Sequence, residues 1–165
     1  MLVCNTPHPW QRPSLKALRQ VPKSWYAFLA ATPGLGPALH RGGALAANIL
    51  GRGNVGTPFT EEEIRSYAAC FRDRDRALAA SKLYRYYLRV FPQTARGRWN
   101  DQRLHAPTHI LFGAKDRYIS PLTVEGGYED HTDEMTVELV PDAGHFIVNE
   151  KPDLVAKRAI ELFGS

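Results

Sequence analysis

No stretch of this sequence approaches the ~18 uninterrupted apolar residues that a membrane-spanning helix needs. The opening residues, MLVCNTPHPW, carry no basic leader, and their apolar run is too short for a signal peptide. Both absences predict a cytoplasmic protein. Cysteine is nearly missing: Cys4 and Cys70 stand far apart with no CxxC. That spacing argues against a disulfide framework and a thiolate metal centre, and predicts two buried or half-buried thiols. Histidines with ligand spacing are also wanting. His105 and His109 are four apart, but Pro107 between them prevents the helix that would bring them together. Internal repeats and low-complexity tracts are absent. The net charge of +4 comes from arginines mixed with acids, as in RDRDR from Arg72 to Arg76, with no nucleic-acid motif. A solvated helix face accounts for such charges, so neither nucleic acid nor a membrane is an expected partner.

What is present is ordinary globular composition, 44% hydrophobic and 23% charged, divided into three regions. Residues 1–9 open with LVCNT, an apolar run without an alternating polar face, predicting a strand buried on both sides. Residues 10–100 read as helical. SWYAFLAATPGLGPAL is a short aromatic helix broken at Pro33-Gly34, and GRGNVGTPF (Gly51–Phe59) is a loop. Thr60 and Glu63 form a capping box for a helix with Ile64, Tyr67, Ala68 and Phe71 on one face. A further helix from about Asp75 to Val90 carries Leu78, Leu83, Tyr84, Tyr87 and Val90, and Pro92 is expected to stop it. Residues 101–165 change character. THILFGA (Thr108–Ala114) and TVELVP (Thr136–Pro141) are strands joined by a helix-like crossover over ISPLTVEGGYEDH, weakened by Gly126-Gly127, and Pro152 opens a last helix that Gly164 ends. Strand, crossover, strand, helix is the pattern of a parallel α/β sheet.

In an open parallel sheet, functional side chains gather beyond the carboxyl ends of the strands. Asp116 follows the first strand of the last region, in GAKDRY, and His145 follows the second, in PDAGHF. Adjacent parallel strands would bring both to one sheet edge. There a carboxylate can accept the imidazole Nδ1–H and leave Nε2 free as a base. Gly144 would let the backbone turn tightly before the histidine. In the competing reading, Asp116 only caps a turn and His145 is a satisfied structural histidine. The order of the two on consecutive strand ends favours a catalytic pair.

THILFGAKDRYISP followed by VELVPDAGHFIVNEKPDLVAKRAIELF resembles the C-terminal end of the α/β-hydrolase fold, whose triad order is nucleophile, acid, histidine. By that resemblance Asp116 is the acid and His145 the base. Residues 1–9 become the core strand entering a lid, 10–100 the helical lid, and 101–165 the end of the core. Within the fold, the lid is similar to that of epoxide hydrolases. WYAFLAATPG and KLYRYYLR match the segments carrying that family's paired tyrosines, at Tyr26 and Tyr84. The resemblance implies two phenol donors for the alkoxide formed when an epoxide opens, with Trp25, Tyr86 and Tyr87 as close competitors. It also implies a small-molecule substrate and no metal or organic cofactor. TPHP, with His8, is read as shaping the entrance to the lid.

The nucleophile such a site requires sits on a G-x-Nuc-x-G turn before the lid. Ser14, Ser24, Ser66, Ser81, Ser120 and Ser165 all lack the flanking glycines, and no aspartate precedes Asp73. The resemblance therefore implies a partial α/β-hydrolase fold without its nucleophile, inactive alone, to be completed by an N-terminal half or by assembly with other copies. Ester, haloalkane or C–C bond substrates are the alternative within the fold. A non-catalytic remnant or interaction subunit is the alternative outside it.

Overall fold

The structure, a computed structural model, describes residues 1–12 and 21–164. Ser14 and Ser165, two of the serines weighed as nucleophiles, lie outside the described residues. Strand β1 (Leu2–Cys4) pairs with β2 (Thr108–Gly113), which pairs with β3 (Met135–Val140), all parallel and in the order β1-β2-β3. Central β2 is the only one of the three with a neighbour on both edges, and its side chains alternate between two cores. Leu111 packs with Val140, Ala143 and Ile147 on one face, while Ile110 and Phe112 pack with Val124 on the other. This is the α/β class with parallel strands expected from the sequence. One correction concerns β1, whose Leu2, Val3 and Cys4 are half-buried, not buried on both sides, since a strand paired on one edge only is incompletely covered.

From Val21 to Ala95, between β1 and β2, the chain is mainly helical. A 3-10 turn (Val21–Ser24) leads into α1 (Trp25–Ala31), followed by α2 (Leu35–Arg41) and α3 (Ala44–Gly53). Then come α4 (Glu61–Cys70) and α5 (Arg74–Ala95). Helices α1 and α2 pack on α5 around Ala27, Ala30, Ala77 and Ser81, whose hydroxyl donates to the Ala30 carbonyl at 2.7 Å. The Thr60/Glu63 capping box of α4 forms in both directions. The face expected along α4 is only partly covered, with Tyr67 exposed, and Leu83 on α5 is exposed too. Cys70 is also exposed, contrary to its expected burial; both thiols are free.

Three local expectations fail for identifiable reasons. The first three residues of the expected loop, Gly51–Gly53, form the last turn of α3. Pro92 does not stop α5, which runs on to Ala95. A proline forfeits only its own N–H and the partner of the carbonyl four residues back. Nearby carbonyls gain side-chain donors instead, Gln93 Nε2 to Arg89 at 3.0 Å and the Thr94 hydroxyl to Phe91 at 2.6 Å. The crossover from β2 to β3 holds only a 3-10 turn (Pro121–Thr123), because Gly126 and Gly127 both adopt positive φ, at 72° and 90°, which no right-handed helix admits. After β3, a short α6 (Ile147–Glu150) and α7 (Pro152–Phe163) close the described chain.

Candidate active site

Asp116 and His145 meet beyond the carboxyl ends of β2 and β3. His145 Nδ1 lies 2.8 Å from Asp116 Oδ2, and the Asp116 side chain has no solvent exposure while His145 keeps 22%. Asp116 Oδ1 accepts the backbone N–H groups of Tyr118 (2.7 Å) and Ile119 (3.0 Å). Its Oδ2 accepts Asn5 Nδ2 at 2.7 Å as well as the imidazole. A carboxylate filled in this way only accepts, so Nδ1 carries a proton and the tautomer of the neutral ring is the one with its lone pair on Nε2.

Asn5 is the residue that sequence reasoning missed. It ends β1 in a left-handed conformation, φ 47°, which asparagine tolerates better than most residues. The Gly113 N–H donates to its Oδ1 at 3.1 Å, which fixes the amide so that Nδ2 faces Asp116 and the Gly144 carbonyl (2.8 Å). One side chain thus joins the ends of β1 and β2 to the histidine loop. The only signal in the sequence was an asparagine directly after an apolar run. Gly144, expected to serve a tight turn, has no positive φ. It is needed for space: a β-carbon there would lie 2.6 Å from the Gly53 carbonyl oxygen and 2.9 Å from Glu150 Oε1.

Tyr26 on α1 and Tyr84 on α5 come together edge to face, with ring centres 6.1 Å apart. Tyr118, two residues after Asp116, links them to His145. Its ring lies 5.0 Å from Tyr26 and 5.2 Å from His145, and its hydroxyl donates to the Ile49 carbonyl at 2.8 Å. Tyr26, Tyr84, Asn5 and His145 all line one cavity of about 520 Å³, together with Cys4 and Thr6, a size suited to a small molecule. Burial pushes the Tyr26 phenol well above the ordinary tyrosine range, and the neighbouring Tyr84 phenol adds to the effect. Burial likewise raises Tyr84. Both therefore remain neutral O–H groups at neutral pH. Of the competing aromatics, Trp25 and Tyr86 are exposed and Tyr87 is half-buried.

Cys4 lies on the cavity wall, but burial raises its thiol, the opposite of an activated thiolate. Among the described residues no group of three or more histidine, cysteine or acidic side chains could hold a metal ion. No helix among them is long and apolar enough to cross a membrane.

Set beside solved structures, the chain is matched over nearly its whole length by enzymes larger than itself. It superposes on the epoxide hydrolase CorEH with a TM-score of 0.71 and 16% identity, covering 99% of this chain and 58% of that one. The chain has a partial α/β-hydrolase fold. An epoxide hydrolase variant from Bacillus megaterium, complexed with its naphthyloxy-propanediol product, matches with a TM-score of 0.71, 19% identity and coverages of 99% and 60%. A structure described as an acyltransferase from Salmonella enterica matches nearly as well, with a TM-score of 0.70, 12% identity and coverages of 99% and 55%. The chain thus spans little more than half the length of the structures it resembles. No protein-family model and no curated relative matches the sequence.

Proposed function

We propose that this chain supplies the lid and the histidine–aspartate pair of an epoxide-hydrolase-like active site. Residues 1–9 act as a core strand entering the lid, 10–100 as the lid and 101–165 as the end of the core. The observation that carries the reading is the convergence of Tyr26, Tyr84 and the Asp116-bound His145 on one cavity. In the complete site an aspartate attacks an epoxide carbon, the C–O bond breaks, and the two phenols stabilise and protonate the alkoxide. His145 then takes a proton from water as the resulting hydroxide attacks the ester carbonyl, the diol leaves with the hydroxide's proton and the aspartate is restored, and the proton held by His145 returns to the phenolate. No cofactor takes part in these steps.

The nucleophile comes from a glycine-flanked turn outside these 165 residues. In support, β1 bonds to β2 through Met1, Val3 and Asn5, so the backbone groups of Leu2 and Cys4 face the other way. Among the described residues no strand pairs with that edge. A parallel strand added there would end beside Cys4 and Asn5, on the cavity wall. The missing half is carried by the same polypeptide or by an assembling one. The resemblance to an acyltransferase-like structure favours a second reading on the same fold, acyl chemistry with a serine nucleophile.

The test assays the purified chain, and the product translated with any in-frame coding sequence upstream of Met1, against styrene oxide and p-nitrophenyl acetate. The chain alone should turn over neither. The longer product should open styrene oxide, and Tyr26→Phe/Tyr84→Phe should lower its kcat by roughly 100-fold or more. Undiminished epoxide turnover in the double variant, or hydrolysis of the acetate ester alone, would overturn the proposal.

A further inference from the structure

The loop bearing His145 is held on its backbone side by a contact that the proposed chemistry does not use. Glu150, at the end of α6, turns its carboxylate back onto the Gly144 N–H, which donates to Oε1 at 3.0 Å and Oε2 at 3.1 Å. The same Oε2 accepts the N–H groups of Val55 at 2.9 Å and Gly56 at 3.4 Å, about 95 positions earlier in the chain. Alongside, the His145 N–H donates to the Gly53 carbonyl at 3.1 Å. The loop after α3 and the loop after β3 are thereby fastened together on both sides of the histidine. Phe146 adds an aromatic contact, with its ring centre 5.2 Å from that of Phe59.

Asp116 and Glu150 control different freedoms of the same residue. The hydrogen bond from Nδ1 to Asp116 fixes which ring nitrogen is exposed, but it cannot fix where the Cα stands. That depends on Gly144 and on the His145 N–H, whose partners are Glu150 and the lid loop. We propose that Glu150 is a positioning residue: its carboxylate clasps the lid loop to Gly144, and the clasp sets where His145 holds its imidazole. A carboxylate suits the task because it only accepts, has room for several donors, and makes charge-assisted bonds stronger than neutral ones. Glutamine would turn an N–H₂ toward one of the converging N–H groups. The consequence is that the base is in place only while residues 53–56 of the lid are seated. The proposal rests on the reading of His145 as the base, and is independent of the substrate.

The test is NMR on the chain carrying ¹⁵N-labelled histidine, combined with amide hydrogen exchange. In Glu150→Ala the amides of Gly144 and Val55 should exchange about tenfold faster or more, in keeping with the loss of a hydrogen bond to a charged group. The His145 Nδ1–H signal, bonded to Asp116, should broaden or vanish. Glu150→Gln should restore part of both effects, and Glu161→Ala on α7 should leave both unchanged. Faster amide exchange with an unaltered His145 ring signal would reduce Glu150 to a structural staple and overturn the proposal, as would unchanged exchange. If Glu150→Ala does not fold, the glutamine variant decides: exchange at Gly144 equal to that of the unsubstituted chain refutes the clasp. Failure of the epoxide assay would leave these signals as they are, so the two proposals fail separately.

Discussion

Asn5 shows how much of this site depends on a single side chain. Its amide bonds Gly113, Asp116 and Gly144, and its own N–H bonds the Leu111 carbonyl at 2.9 Å. Asn5→Ala would leave the Gly113 N–H unpaired and remove one donor from a fully buried carboxylate. It would also put alanine in a left-handed conformation that asparagine tolerates better. The expected cost is about 2–3 kcal/mol, read as a lower urea midpoint with an unchanged m-value. A midpoint equal to that of the unsubstituted chain would mean the amide is dispensable. Asp116 and His145 were legible in the sequence because parallel topology places consecutive strand ends on one edge, a rule that needs no distant contact. Asn5 was not, since its partners lie more than a hundred positions away and nothing in LVCNT marks them. Tyr26 and Tyr84 stood out only through the family resemblance, because helical spacing alone does not separate them from Tyr87, which lies on the same cavity.

At the scale of elements, local chemistry was readable wherever the decisive partner was close in sequence. Thr60 and Glu63 marked the start of α4 because the capping box closes within one turn. The end of α5 was misjudged because breaking at a proline is a matter of energy, and packing and side-chain donors can outweigh it. Pro92 stands in the last turn of a long helix whose face against α1 and α2 is already fixed. The missing hydrogen bond should still register. Pro92→Ala restores an N–H donor and a better helix former, and should stabilise the chain by about 1–3 kcal/mol, seen as a higher Tm. A lower Tm would mean that the proline ring itself packs usefully. The crossover was misjudged in degree: the sequence marked Gly126-Gly127 as weakening a helix-like stretch, and both glycines took positive φ and set the path instead.

At the scale of the molecule, two buried histidines tie stability to pH. His8 is enclosed near Trp10 and Tyr128, and its Nδ1 accepts the Trp10 N–H at 3.2 Å. A proton on Nδ1 would face that donor directly. Burial lowers its pKa below the ordinary 6.5, partly offset by the Val124 carbonyl and by Glu129. His40 sits against Phe71 and Tyr84 among the helices between β1 and β2, and burial lowers it as well. Its Nε2 is buried without a protein partner among the described residues. Because both folded-state values lie below 6.5, the unfolded chain takes up protons first as the pH falls. Stability is therefore complete above about pH 6.5 and declines as the pH drops from there through the lower folded-state values. The lowered carboxylates act further down. Glu63, Glu129 and Glu138 start from 4.5, and Asp133 and Asp142 from 3.8, so their contributions persist until the pH falls below those values. The two windows can be separated. His40→Phe keeps an aromatic ring in place and removes the titrating group, so Tm at pH 7 should be held or raised while its fall between pH 7 and pH 5 becomes shallower. An unchanged slope in that window would mean that charging His40 does not contribute to acid unfolding, and that the helical region does not sense pH through it.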